Sequence, residues 1–227
     1  RQIAGCFRKV ARLVVEKGIK SKKIGVADVR KYLGPRKYSS QMAEKDHMVG
    51  SSTGLAVTQV GGDILTIEAE IMPGEGNLTL TGHLGDVMKE SCQAALSYVR
   101  SRYDTFKLDE NFYESIDIHI HVPEGAVPKD GPSAGLAIAT AMVSALTKIP
   151  VNKYVAMTGE ITLRGRALEI GGAKSKILAA HRAGIKTVIL PKENKKDLEE
   201  VPKFVQDDLT FVFAEHIDDV LKAALVF

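Results

Sequence analysis

The fold is decided by the stretch Pro123-Glu-Gly-Ala-Val-Pro-Lys-Asp-Gly-Pro-Ser133-Ala-Gly-Leu136, a turn rich in glycine and proline. Apolar and polar residues alternate over 116–122 just before it, which predicts a strand. A long apolar pattern at helical spacing follows, from Ala134 to about Leu146. Ser133 therefore falls at the exit of the turn, at or beside the first residue of the predicted helix.

Two roles for Ser133 follow from this position. Serine is a common helix cap, because its side-chain oxygen accepts from a backbone N–H of the first turn. The same unpaired N–H groups and the positive end of the helix dipole can also stabilise an oxyanion. A serine nucleophile could be presented in this way, and the residues around Ser133 leave both interpretations open.

A second glycine turn opens another predicted helix, with the sequence Gly171-Gly-Ala-Lys174-Ser-Lys176-Ile. A lysine in the first turn of a helix opposes the helix dipole, which makes it an unusual place for a solvated lysine. Together with Ser133 it suggests a serine nucleophile paired with a lysine base. Lys174 and Lys176 are two residues apart on a helix and cannot both face the serine. The spacing alone does not choose between them.

Three segments, taken in order, resemble the proteolytic domain of the Lon family of ATP-dependent serine proteases. They are Pro128-Lys-Asp-Gly-Pro-Ser133-Ala-Gly, Met157-Thr-Gly-Glu-Ile161 and Gly171-Gly-Ala-Lys-Ser-Lys176. The resemblance runs from about Gly50 to the last residue, and the eight-residue serine motif is highly specific. It implies a serine endopeptidase with Ser133 as nucleophile and Lys176 as general base. The separation of 43 residues agrees with the family.

The resemblance also implies supporting residues, each of which has a plainer interpretation. Thr158 would hydrogen-bond the lysine amine, but a β-branched residue is also ordinary in a sheet. Asp130 would lie close to the dyad and regulate it, but aspartate also favours turns. His119 and His121 would support the site. They share one face of the predicted strand with Asp117, and no third metal ligand lies at a telling spacing.

The chain departs from the usual Lon pattern at three positions. Ala173 and Ser175 stand where a larger aliphatic residue and a glutamate are usual, and Val57 replaces a frequent aromatic residue. These changes leave the predicted dyad intact but concern the packing and substrate contacts around it.

Strands alternate with helices along the chain, which predicts an α/β (α+β) domain with a mixed sheet. The resemblance implies a compact Lon proteolytic domain related to the ribosomal protein S5 domain 2-like fold, preceded by a small helical segment. We predict three parts: residues 1–34 as a C-terminal remnant of the helical subdomain of an AAA+ ATPase, 35–48 as a linker, and 49–227 as the proteolytic domain. We therefore interpret the chain as a piece of a longer protein.

The composition sets the remaining expectations. The formal net charge of +3 over 227 residues does not favour nucleic-acid binding, and no aromatic residues interleave with the basic loop Lys20–Lys23. We expect no membrane partner and no cofactor in this chain, with ATP and Mg²⁺ bound by the ATPase module. The resemblance implies unfolded protein or peptide substrates and a homohexamer in the intact protein. We expect the bacterial cytoplasm, with the mitochondrial matrix as the alternative.

Two other functions compete with proteolysis. One is a phosphate-binding, small-molecule-kinase-like domain, since a glycine turn into a helix also cradles phosphates. Gly172-Ala-Lys-Ser175 is similar to part of a P-loop, but glycine does not precede the lysine. The other is a catalytically silent domain that only builds a ring, against which the complete set of Ser133, Thr158 and Lys176 argues.

Overall fold

The structure is a computed structural model that describes residues 2–35, 46–59 and 61–227. The chain forms two compact units, residues 1–40 and 41–227. Most of the predicted linker, residues 36–45, lies outside the described residues. The three-part division of the chain stays a prediction.

The first unit contains the two predicted helices, α1 (Gln2–Lys17) and α2 (Val26–Leu33). Glycines follow both: Gly18 has φ 64° and Gly34 has φ 85°. Glycine adopts positive φ without the steric penalty of a side chain, so both helices end at a residue that suits a helix C-terminus.

The second unit is built on a seven-stranded mixed sheet with strand order β3-β4-β2-β1-β5-β8-β9, beside the two-stranded hairpin β6-β7. The strands are β1 (Ser51–Thr58), β2 (Gly61–Pro73), β3 (Leu78–Thr81), β4 (Ile116–His121), β5 (Val155–Met157), β6 (Glu160–Ile161), β7 (Ala167–Leu168), β8 (Thr187–Pro191) and β9 (Thr210–Ala214). This architecture confirms the predicted mixed α/β class.

Strand pairing explains how the sheet is mixed. β1 and β2 form an antiparallel hairpin, and β4 pairs antiparallel with the other edge of β2. The pairs β1-β5, β5-β8, β8-β9 and β3-β4 are parallel. Although β3 follows β2 in the chain, it does not pair with β2, because β4 lies between the two strands.

Five helices complete this unit: α3 (Asp86–Ser101), α4 (Gly135–Thr147), α5 (Ala173–Arg182), α6 (Lys203–Asp208) and α7 (Ile217–Ala224). A polar 3-10 helix, Lys192–Glu200, precedes α6. None of the helices in the described ranges is both long and apolar enough to cross a membrane.

Helix α4 is the centre of the core, since every residue from Gly135 to Ala145 is buried. A helix that is apolar all round requires neighbours on every side, and α4 packs against α3, α7, β1 and β2. A second apolar cluster lies between the sheet and α5, and includes Leu55, Ile64 and Ile177. This packing holds α4 and α5 in place, and with them the positions of the residues at their N-termini.

Candidate active site

Ser133 lies in a single 3-10 turn, Pro132–Ala134, that leads directly into α4. The preceding Gly131 has φ 122° and ψ 156°. The positive φ would be strained in a residue with a side chain, and the extended ψ is the one favoured before a proline such as Pro132. A Cβ atom at Gly135 would lie 2.9 Å from both the backbone nitrogen and Cγ2 of Ile161. Glycines on both sides therefore let the turn bend sharply and approach the β6 strand, with the Ser133 side chain half-buried.

Lys176 lies in the first turn of α5 and points into the protein. Its side chain is only 3% exposed, whereas Lys174 is exposed. The first turn of α5 lies close against the start of β2, since a Cβ at Gly62 would lie 2.0 Å from the Ser175 carbonyl oxygen. Burial disfavours the charged amine and lowers the pKa of Lys176 from 10.5 to about 8. Lys176 is therefore the lysine with the properties that a base requires.

Thr158 joins the lysine to the serine turn. Its fully buried hydroxyl accepts from Lys176 Nζ at 3.0 Å and donates to the Ser133 carbonyl oxygen at 3.1 Å. The same carbonyl oxygen accepts from the backbone N–H of Gly159 at 2.8 Å. Because the Thr158 hydroxyl donates its proton to the Ser133 carbonyl oxygen, its lone pairs are available to accept from Lys176 Nζ.

Two clefts meet at Ser133. The first, of about 360 Å³, lies between β1, the start of β2 and the 124–131 segment. The second, also about 360 Å³, contains Lys176 together with Glu169, Ile170 and Gly171. Ser133 and Val57 line both clefts, so a chain bound across them would pass the serine hydroxyl.

Asp130 lies beside Ser133 in both clefts, but its hydrogen bonds support α3 and the serine turn. Its Oδ1 atom accepts from the backbone N–H of Met88 at 3.0 Å and of Gly131 at 2.9 Å. Met88 is in the first turn of α3, where a carboxylate is favoured by the helix dipole. The contacts agree with the turn-forming interpretation, and a regulatory role for Asp130 stays a prediction.

His119 and His121 lie elsewhere on the sheet. Both rings contact the Thr81 hydroxyl, at 2.8 Å and 2.6 Å, and neither lines a cleft beside Ser133. In the ranges that the structure describes, no group of three or more His, Cys, Asp or Glu side chains could hold a metal ion. The two rings thus bond to β3 and not to a cleft residue, and their supporting role stays a prediction.

Asn194 is a site residue that the sequence did not reveal. Its fully buried amide accepts from the Ile170 N–H at 3.1 Å and donates to the Ile170 carbonyl at 2.8 Å. It thereby fixes the wall of the second cleft and the approach to the glycine turn before Lys176. A lone asparagine in a polar segment gives no signal of this, since its partner is 24 residues away.

The chain is similar to known proteins along almost its whole length. Residues 23–227 match the family described as Lon protease (S16) C-terminal proteolytic domain. A Lon protease of Geobacter metallireducens is 59% identical over 225 residues, which cover 99% of this chain and 27% of that protein. Lon protease 1 of Myxococcus xanthus and a Lon protease of Bacillus thuringiensis are each 57% identical over 226 residues, 100% of this chain and 28% of each relative.

The family match and the relatives together define a proteolytic domain. The chain belongs to the Lon protease family, and residues 23–227 match the C-terminal proteolytic domain of that family. The chain spans a little over a quarter of the length of these relatives.

Proposed function

We propose that this chain is a serine endopeptidase in which Ser133 is the nucleophile and Lys176 the general base. The observation that carries the proposal is the hydrogen-bonded sequence from the buried Lys176 amine through the Thr158 hydroxyl to the Ser133 carbonyl, at 3.0 and 3.1 Å. An amine held in this way beside a half-buried serine matches the lysine variant of the serine nucleophile and base.

The lowered pKa of Lys176 supports its role as a base. A free lysine, with a pKa near 10.4, is almost fully charged at pH 7. With a pKa of about 8, about one molecule in ten carries a neutral amine at pH 7. Only that neutral form can accept the proton of the Ser133 hydroxyl.

The proposed reaction follows from these groups. The Lys176 amine takes the hydroxyl proton while the Ser133 oxygen attacks the peptide carbonyl carbon. The resulting oxyanion is stabilised by backbone N–H groups at the start of α4, with Ser133 and Ala134 as the candidate donors. The ammonium then protonates the leaving amine, and the peptide C–N bond breaks. Water, deprotonated by the same lysine, hydrolyses the acyl-enzyme ester and restores the serine.

The two clefts support binding of an extended peptide across Ser133. The first cleft presents apolar side chains, among them Leu55, Met88 and Val127, which suit an apolar substrate side chain. β1 pairs with β5 at Gly54 and then continues to Val57 beside Ser133, where this end of the strand offers backbone groups for strand addition. With Val57 in place of an aromatic residue, we expect substrate preference to differ from that of relatives that carry the aromatic.

The role of the whole protein extends this proposal. The relatives are Lon proteases. We propose that the present chain is the proteolytic part of a homohexameric, ATP-dependent protease that degrades unfolded or damaged proteins. ATP and Mg²⁺ would be bound by the ATPase module, and the bacterial cytoplasm is the proposed compartment.

Labelling with a fluorophosphonate, followed by peptide mapping, tests the proposal. We expect one adduct on Ser133 in the wild type and none in Ser133→Ala or Lys176→Ala. A matched control is Ser175→Ala, which removes a hydroxyl beside the lysine and should keep the adduct. Wild-type chain that stays unlabelled would favour the silent ring-forming domain, and calorimetry showing micromolar ATP binding would favour the kinase-like one.

A further inference from the structure

Lys129, four residues before Ser133, binds its surroundings through backbone carbonyl groups. Its Nζ donates to the carbonyl oxygens of Gly82 at 2.9 Å, Glu124 at 2.8 Å and Val127 at 3.2 Å. An ammonium group has three N–H donors, so these bonds use all of them. The Lys129 side chain thus links the 124–127 loop to Gly82, in the segment that follows β3.

The tied loop is a wall of the first cleft. Glu124, Val127 and Pro128 line this cleft opposite Leu55 and Thr58 of β1. A peptide bound beside β1 would therefore lie against the loop. The width of the cleft depends on where the 124–127 loop is held.

The loop conformation requires an external restraint. Glu124 has φ 65°, in the left-handed region that a residue with a side chain rarely adopts. Its carbonyl oxygen accepts from the Val127 N–H at 2.9 Å as well as from Lys129 Nζ. Strained backbone of this kind persists where surrounding bonds over-determine it. The Lys129 ammonium supplies one of those bonds and links the loop to Gly82.

The backbone of Lys129 is anchored independently of its side chain. Its N–H donates to the His83 carbonyl at 3.1 Å, and its own carbonyl accepts from the Gly85 N–H at 2.8 Å. Asp130 then bonds the first turn of α3, as described above. The main chain that leads to Ser133 keeps these anchors when the Lys129 side chain is changed, whereas the 124–127 loop loses its restraint.

We propose that Lys129 is a positioning residue that sets the affinity of the first cleft for peptide by holding the 124–127 loop. The proposal rests on the proposed peptidase function of Ser133. Lys129 acts through the loop backbone and does not take part in proton transfer. Its loss should weaken peptide binding while the reactivity of Ser133 toward a small reagent is retained.

The test compares Lys129→Met, which keeps the chain length but removes every donor, with Lys129→Arg, which keeps a charged donor. KM and kcat are measured with a fluorogenic peptide, and the rate of Ser133 labelling is measured with diisopropyl fluorophosphate, a reagent without a peptide backbone. Lys186→Met, an exposed lysine that lines neither cleft, is the matched control.

For Lys129→Met we expect KM to rise about tenfold or more, as the loss of a charge-assisted hydrogen bond allows. We expect kcat and the labelling rate to remain within about twofold of the wild-type values, so that a tenfold rise in KM is clearly distinguishable from them. Lys129→Arg should recover part of the KM change. Should Lys129→Met melt below the assay temperature, Lys129→Gln, which keeps a neutral donor, is measured instead and should give an intermediate KM.

Two results would overturn the proposal. An unchanged KM in a folded Lys129→Met would show that the loop wall does not need the lysine. A labelling rate that falls together with kcat/KM would show that Lys129 holds Ser133 itself. Neither result touches the peptidase function, which fails separately if wild-type Ser133 is not labelled.

Discussion

The Nζ atom of Lys176 lies 3.0 Å from the hydroxyl oxygen of Thr158. Both groups are buried, so this hydrogen bond is shielded from water and from competing partners. The other bond of the hydroxyl goes to the Ser133 backbone, which makes Thr158 the contact through which the proposed base and nucleophile are held at a fixed separation. The first prediction concerns this residue.

Thr158→Val keeps the shape of the side chain and removes the hydroxyl. We expect kcat to fall about 10- to 100-fold, because a hydrogen bond to a charged group contributes about 1.5–3 kcal/mol and each 1.4 kcal/mol is tenfold in rate. Thr158→Ser, which retains the hydroxyl, is the control and should keep most of the activity. Steady-state peptide cleavage measures both, and equal activity of the two variants would contradict the assigned role.

Lys174 and Lys176 give a second, discriminating prediction. Lys176→Ala should be inactive because the base is lost, and Lys176→Arg should be inactive because a guanidinium stays protonated. Lys174→Ala should keep most activity, since the Lys174 side chain is exposed. Peptide cleavage by the three variants checks this. A dead Lys174→Ala beside an active Lys176→Ala would reverse the assignment.

The pH dependence gives a third prediction. Because the Lys176 pKa is lowered to about 8, the fraction of neutral amine, and with it kcat/KM, should rise with pH and level off above about 9. The midpoint of the rising limb should lie near 8 and well below the free-lysine value. Initial rates between pH 6 and about 10 measure it. A limb centred near 10.4, the unperturbed lysine value, would mean that the amine is not desolvated during turnover.

The sequence predicted much of the fold because its patterns are local. The alternation over 65–71 and 116–122 marks β2 and β4, and glycines end or begin the helices around them. The order of the strands in the sheet was harder to predict from the sequence, because the pairing of β3 with β4 depends on contacts between segments about 40 residues apart.

The candidate site, like the fold, was predictable from the sequence where the signal is local and not where it depends on contacts between distant segments. The motifs pointed to Ser133, Thr158 and Lys176, which the structure brings together through two hydrogen bonds. The burial of Lys176 and the close approach of Gly62 to Ser175 bring together segments more than 100 residues apart, which no local pattern encodes. His119 illustrates the converse, since its place in sequence near the turn did not bring it into either cleft.

A buried ammonium also affects stability, which gives the last prediction. Below pH 8 Lys176 is charged in both the folded and the unfolded chain, and the fold bears the full cost of desolvating it. As pH rises from about 8 to 10.5, the folded state releases the proton while the unfolded state keeps it, so the free energy of unfolding increases. Above 10.5 both states are neutral at this residue, and the cost disappears.

Lys176→Met removes the titrating group and keeps an apolar side chain of similar length. At pH 7 the variant should be more stable than the wild type by up to about 3 kcal/mol, the free energy that corresponds to lowering the pKa from 10.5 to about 8. The difference should shrink above pH 8 and be lost near pH 10.5. Denaturant unfolding of both proteins across this range measures it, with exposed Lys174→Met as the control that should change little at any pH. A stability difference between the two proteins that stays constant from pH 7 to pH 10.5 would contradict the lowered pKa of Lys176, because linkage requires the difference to change wherever the folded and unfolded chains bind different numbers of protons. The neutral base on which the proposed mechanism depends would then be scarce at pH 7.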